Sequence, residues 1–133
     1  MYKKPKVIAE IGCNHTGDIK IAFELIDLAK DSGADVVKFQ KRHSRELLSQ
    51  EQYDSPHPSP YNSYGKTYGE HRESLELKPE WFPILKDACS KYNVKFMSTP
   101  FDEQAVDELV DLGVKRLKIA VLPQLGFPRI ATL

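Results

Sequence analysis

The sequence predicts an α/β fold built from successive strand–helix units, and three observations predict it. Short apolar runs at 7–11, 35–40, 94–98 and 116–120 alternate with segments whose apolar residues recur three and four apart. The helical segments carry start and stop signals. The strand onsets also resemble one another, Ala-Asp-Val-Val-Lys-Phe at 34–39 against Tyr-Asn-Val-Lys-Phe at 92–96, and weak internal similarity of this kind fits repeated βα units.

The elements follow in order. Strand one, at 7–11, leads through the Gly12 to Gly17 loop into a helix opened by Asp18, with Ala22, Leu25, Ile26 and Ala29 on one stripe and Gly33 as the stop. Strand two begins at once, at 35. A long polar segment comes next. Pro79 then stands where a first-turn proline belongs, and Trp81, Leu85, Ala88 and Tyr92 mark the next helical stripe. After strand three, Asp102 caps a helix carrying Val106, Leu109 and Val110 up to Gly113, and Arg-Leu-Lys-Ile-Ala at 116–120 supplies strand four.

Alternating strands and helices imply a parallel sheet with right-handed crossovers. Polar groups inside the strands bear on whether that sheet is open or closed. Glu10 interrupts the apolar run at 7–11. In strand two Val36, Lys38 and Gln40 share one face while Val37 and Phe39 share the other. Strands covered on both faces normally read as continuous apolar runs, and an unpaired buried charge costs several kcal/mol or is neutralised. Lys38 therefore needs an anionic partner, either Glu10 in a structural ion pair or a bound phosphate or carboxylate. Glu10, Lys38, Gln40, Thr99 and Lys118 all stand near strand C-terminal ends. A (β/α)8 barrel brings such groups to one axis, whereas an open sheet spreads them.

Composition narrows the function classes. The 133 residues carry 19 Lys and Arg against 19 Asp and Glu, so general nucleic-acid or anionic-membrane binding is not expected, while a local basic pocket remains open. No apolar run is long enough to span a bilayer, and a cytoplasmic setting is expected. Cys13 and Cys89 lie in dissimilar contexts and read as free thiols. The loop Gly-Cys-Asn-His-Thr-Gly lacks the Gly-Lys-Ser/Thr of a P-loop and the spacing of a dinucleotide fingerprint. His43, His57 and His71 fall in polar loops without metal-ligand spacing and read as solvated, which leaves His15 as the histidine near the polar strands.

Four ordered blocks then carry a resemblance: Ala-Glu-Ile-Gly-Cys-Asn-His-Thr-Gly-Asp at 9–18, Gly-Ala-Asp-Val-Val-Lys-Phe-Gln at 33–40, Tyr-Gly-Glu-His-Arg-Glu-Ser-Leu-Glu at 68–76 and Ser-Thr-Pro-Phe-Asp at 98–102. Together they resemble the N-terminal half of the N-acetylneuraminate (sialic acid) synthases, over residues 5 to about 120. The resemblance implies a (β/α)8 TIM barrel, here truncated to about the first four βα units. It also implies condensation of phosphoenolpyruvate with an N-acylmannosamine or its 6-phosphate, with release of phosphate. A divalent metal, Mn or Mg, is implied for the full-length family, with its ligands on later strands absent from this chain. By the same resemblance Glu10 matches a glutamate close to the phosphoenolpyruvate methylene, Lys38 and Gln40 match groups around its anion, and Thr99 matches a contact to the same ligand. Asn62 falls where an asparagine reaches the amino sugar.

One departure stands beside these matches. Where the family continues strand four as Lys-Ile-Ala-Ser or Lys-Ile-Gly-Ser, this chain has Val121 in the place of the serine. The expected organisation is residues 1–120 as the N-terminal half of a synthase barrel and 121–133 as a tail outside the family pattern, from a frameshift or other truncation. A half-barrel exposes sheet edges, so self-association or a homo-oligomer is expected. Glu70, His71 and Arg72 are expected to hold the long loop, which is expected to face substrate. Two alternatives stay open: a non-catalytic half-barrel that binds an anion or another chain, and a phosphoenolpyruvate-dependent aldol synthase of the 3-deoxy-octulosonate type.

Overall fold

The computed structural model describes residues 2–120. Three parallel strands, β1 (Ile8–Gly12), β2 (Val36–Lys41) and β3 (Lys95–Pro100), form one sheet in that order. Glu10 is in register with Lys38 and Lys38 with Met97, while Gln40 is in register with Thr99. Each strand lies about a residue further along the chain than the apolar runs indicate. The ladder extends into Gly12, Lys41 and Pro100 because backbone pairing does not stop where hydrophobicity does.

Helix α1 (Ile19–Asp31) is capped as expected, its Lys20 amide donating 2.7 Å to Asp18 Oδ1. Ala22, Ile26 and Ala29 are buried, and the chain leaves the helix through Gly33 at a φ of 76°. Helix α2 (Ser44–Leu47), helix α3 (Gln50–Asp54), a 3₁₀ turn (Pro60–Asn62) and helix α4 (Tyr68–Ser74) fill the long polar segment. Helix α5 (Trp81–Lys91) starts after Pro79. Pro83 sits in its first turn, where an amide has no intrahelical acceptor. Helix α6 (Glu103–Asp111) is capped by Asp102, which accepts from Ala105 N at 2.7 Å.

The core lies between the sheet and α1, α5 and α6. Ile11, Val37 and Phe39 of the sheet meet Ala22, Ile26, Phe82, Leu85, Cys89 and Leu109. Two stripes differ from the sequence expectation. Tyr92 is the C-cap of α5 and 37% exposed, so Phe82 and Cys89 fill that face, and Val110 is 43% exposed beside the buried Val106 and Leu109. Both cysteines are free thiols.

The fourth strand at 116–120 is reduced, among the described residues, to a single parallel bridge between Ser98 and Leu117, with Lys118 N donating 3.0 Å to Ser98 O. Of the four βα units of a truncated barrel expected from the sequence, the described residues form an α/β unit with a three-stranded parallel sheet. One bridge positions the segment against β3 without building a ladder. The proposed tail at 121–133 lies outside the described residues. No helix among the described residues is long and apolar enough to cross a membrane.

Candidate functional site

Strand alternation divides the sheet into two unlike faces. Val37 and Phe39, both fully buried, turn toward the helices. Glu10 and Lys38, neighbours in register, form an ion pair on the opposite face, as their shared parity requires. The Lys38 side chain is 12% exposed and that of Glu10 47% exposed, so the pair joins a largely desolvated cation to a carboxylate at the rim. Burial first, and the nearby Lys118 ammonium second, push the Lys38 ammonium below its ordinary range. Two ammonium groups beside one half-solvated carboxylate leave room for a further anion.

Gln40 and Thr99 continue this face toward the strand ends. Thr99 is 3% exposed, and its hydroxyl has no hydrogen-bond partner among the described residues. A buried hydroxyl without a partner costs free energy, which a ligand oxygen would recover. Gly12 sits at an irregularity in the β1–β2 register with a φ of 56°. A Cβ there would lie 3.2 Å from Glu10 Oε1 and 3.3 Å from Gln40 Nε2. Glycine therefore keeps the space between those two groups free.

The structure brings Glu10, Lys38, Gln40 and Thr99 together and leaves Asn62 apart from them. Asn62 is on the exposed 3₁₀ turn, where its Nδ2 donates 3.1 Å to Ser59 Oγ. The long loop holds itself by local chemistry. Thr67 and Glu70 form a capping box on α4, and His71 is buried against His57 with ring centroids 4.2 Å apart, between Tyr64 and Tyr68. The expectation that Glu70 and His71 hold the loop agrees with these contacts.

The solvated reading of the histidines is corrected. His43 Nδ1 lies 2.9 Å from Asp102 Oδ1 and its Nε2 lies 3.2 Å from Glu108, His57 Nδ1 lies 2.7 Å from Ser59 O, and His71 is buried. His15, 1% exposed, accepts from Gly17 N at Nδ1 and stacks on Phe39. Burial is the first cause that keeps its imidazole below the ordinary range. Spacing along the chain does not reveal a contact such as that of His43 with Asp102, 59 residues away.

Two further groups went unrecognised in the sequence. Arg42 follows Lys38 and Gln40 at the same two-residue period, and its Nη2 donates to Gln40 Oε1. Glu76, half-buried between the end of α4 and α5, stands 3.0 Å from Arg42 Nε. Continuing the alternation two residues past Gln40 was the available signal for Arg42. Behind them, Lys41 is buried on the core side, pairs with Glu108 at 2.6 Å and lies 4.4 Å from the Phe82 ring centre. A cation that ends a strand on its apolar face contradicts simple binary patterning, and it is tolerated because carboxylate and ring both meet it.

Among the described residues, no three His, Cys, Asp or Glu side chains converge in a way that could hold a metal ion. The described residues thus do not fit a divalent metal, and no chemical step is assigned to one.

Comparison with known proteins gives the family of the chain. A family model described as the NeuB family matches residues 25–132. The N,N'-diacetyllegionaminic acid synthase of Legionella pneumophila is 42% identical over 113 residues, covering 85% of this chain and 32% of that protein. The N-acetylneuraminate-9-phosphate synthase of Mus musculus is 37% identical over 122 residues, 92% of this chain and 34% of that protein. The crystal structure of an N-acetylneuraminic acid synthetase from Leptospira borgpetersenii, in complex with citrate, matches with a TM-score of 0.69 and 31% identity over 88% of this chain and 36% of that one. The chain spans about a third of the length of the curated relatives it matches.

Proposed function

This chain belongs to the NeuB family, and we propose that it forms the phosphoenolpyruvate-binding part of a sugar-acid synthase of the sialic and legionaminic acid type, built on a (β/α)8 barrel. The observation that carries the proposal is the Lys38–Glu10 ion pair with the Lys118 charge acting on Lys38, on the face that also holds Gln40 and the unpartnered Thr99 hydroxyl. Ammonium and amide donors fixed before the anion arrives need no reorganisation as charge moves during reaction.

In the proposed reaction the phosphoenolpyruvate methylene carbon bonds to the aldehyde carbon of an N-acylmannosamine or related amino sugar, and phosphate leaves. Lys38 and Gln40 bind the anion, Thr99 supplies a hydroxyl contact, and Glu10 stands at the methylene end. Asn62 reaches the amino sugar only if the 3₁₀ turn comes over the site. The family's divalent metal is proposed to be held by residues outside this chain, so turnover by these 133 residues alone is expected to be undetectable in a phosphate-release assay. A second copy pairing with a sheet edge is the proposed partner, and light scattering across a concentration series is expected to show self-association.

Calorimetric titration of phosphoenolpyruvate into the full chain tests the assignment. Saturable binding is expected, weakened at least about tenfold in Lys38→Met, since a charge-assisted hydrogen bond contributes ~1.5–3 kcal/mol. Equal affinity in both proteins would remove Lys38 from the site.

A further inference from the structure

Gln40 has an oxygen and a nitrogen that differ in what they offer an anion, and its neighbours decide which faces the site. Arg42 carries donors only, so the Gln40 atom receiving its Nη2 hydrogen bond must be the oxygen. The Cys13 thiol, 3.5 Å from the same oxygen, agrees with this. The amide NH2 is left beside the Gly12 backbone, on the side of Glu10 Oε1.

Arg42 is itself fixed from three directions. Its guanidinium carbon lies 4.2 Å from the Phe101 ring centre, its Nε stands 3.0 Å from Glu76 Oε1, and its Nη2 engages Gln40. The Arg42 and Glu76 side chains are 9% and 15% exposed. The Nε contact has ion-pair distance without hydrogen-bond alignment, because both atoms lack a hydrogen-bond partner. It is therefore a Coulombic contact in a poorly solvated place, whose strength follows the charge on Glu76. We infer that Arg42 and Glu76 are positioning residues for the candidate site: clamped by Phe101 and Glu76, Arg42 holds the Gln40 oxygen so that the amide NH2 is presented to the anion.

The clamp carries a pH dependence. Burial drives the Glu76 carboxyl up to about 7; Arg42, Lys41 and His43 favour its ionised form, and Asp102 opposes it. Arg45 and Glu73 line the same cavity, of about 410 Å³, and stand 3.5 Å from each other. Above about pH 7 the ionised carboxylate adds to the hold on Arg42. Below it the hold rests on Phe101 and Gln40.

The meaning for ligand binding rests on the proposed phosphoenolpyruvate site, whereas the clamp can be observed without any ligand. The side-chain amide signals of Gln40 in the full chain, identified by their loss in Gln40→Met, are followed by ¹⁵N–¹H NMR from pH 5.5 to 8.5. Dispersed signals that titrate with a midpoint near 7 are expected, with the titration absent in Glu76→Gln. Arg42→Met should collapse them to the free-amide position, and Arg42→Lys should restore part of the dispersion. The double variant Arg42→Met/Glu76→Gln, which leaves no unpaired buried charge, should match Arg42→Met. Gln40 signals unchanged in both Arg42→Met and the double variant would overturn the inference, as would a titration that persists in Glu76→Gln.

A second arm measures affinity for phosphoenolpyruvate. Loss of one ordering hydrogen bond predicts weakening of about three- to tenfold in Arg42→Met, with Arg42→Lys between it and the wild type. A wild-type chain that binds no phosphoenolpyruvate yet shows the Gln40 titration would overturn the site assignment and leave the clamp standing.

Discussion

The two faces of one three-stranded sheet obey different rules. On the helix side Ile11, Val37 and Phe39 are nearly or fully buried, and their neighbours are apolar side chains from α1, α5 and α6. On the other side Glu10, Lys38, Gln40 and Thr99 come from the same strands, at alternate positions, and include an ion pair and an unsatisfied hydroxyl. The backbone cost of both faces is shared. One face therefore supplies the stability that allows the other to hold polar groups in arrangements that do not stabilise the fold.

The contrast can be broken most severely from the helix side. Phe39 is fully buried and stacks on Phe96 at 5.4 Å between ring centres, so Phe39→Ala should cost about 3–5 kcal/mol in denaturant unfolding. A cost under about 1 kcal/mol would mean that this face is not the stabilising one.

Glu76 provides the next largest effect. Its folded-state pKa, raised by burial to about 7, means that its contribution is fully present below the ordinary carboxylate range and lost as pH rises through about 7. Stability should fall over that window by up to ~3 kcal/mol, and Glu76→Gln should flatten the profile. A profile with the same slope in the variant would assign the loss to other groups.

Asp102 joins the two regions, since it caps α6 through Ala105 N and accepts from His43 N at 2.7 Å. Asp102→Ala should cost about 1–3 kcal/mol by thermal unfolding, more than a cap alone. The smallest stability effect is expected at Lys38. Its partner Glu10 is half exposed and can be rehydrated, so Lys38→Met should change stability by less than about 1 kcal/mol. A large loss there would make the pair structural and erase the distinction between the faces.

Much of this was legible in the sequence because strand parity and helix caps are local. Two-residue alternation placed Glu10, Lys38, Gln40 and Thr99 on one face, and Asp18 and Asp102 cap the helices they were expected to cap. Long-range contacts were not legible. The burial of Lys41 depends on Glu108 and Phe82, that of Arg42 on Glu76 and Phe101, and the packing of His71 on His57, all pairs that no periodicity joins. The fourth strand was overread for a related reason. Its alternating pattern suits an edge, yet among the described residues only Leu117 bridges the sheet.

The most direct test of the central claim maps where phosphoenolpyruvate acts on the full chain. In a titration followed by backbone amide shifts, the account predicts that the largest changes fall at Glu10, Gly12, Lys38, Gln40, Thr99 and Lys118, with the helix-side residues Val37 and Leu85 little moved. A basic cavity lined in part by Lys86, Lys95, Lys115 and Arg116 supplies the internal control. Changes concentrated around that cavity, with the Lys38 face silent, would contradict the assignment of the polar face as the anion site.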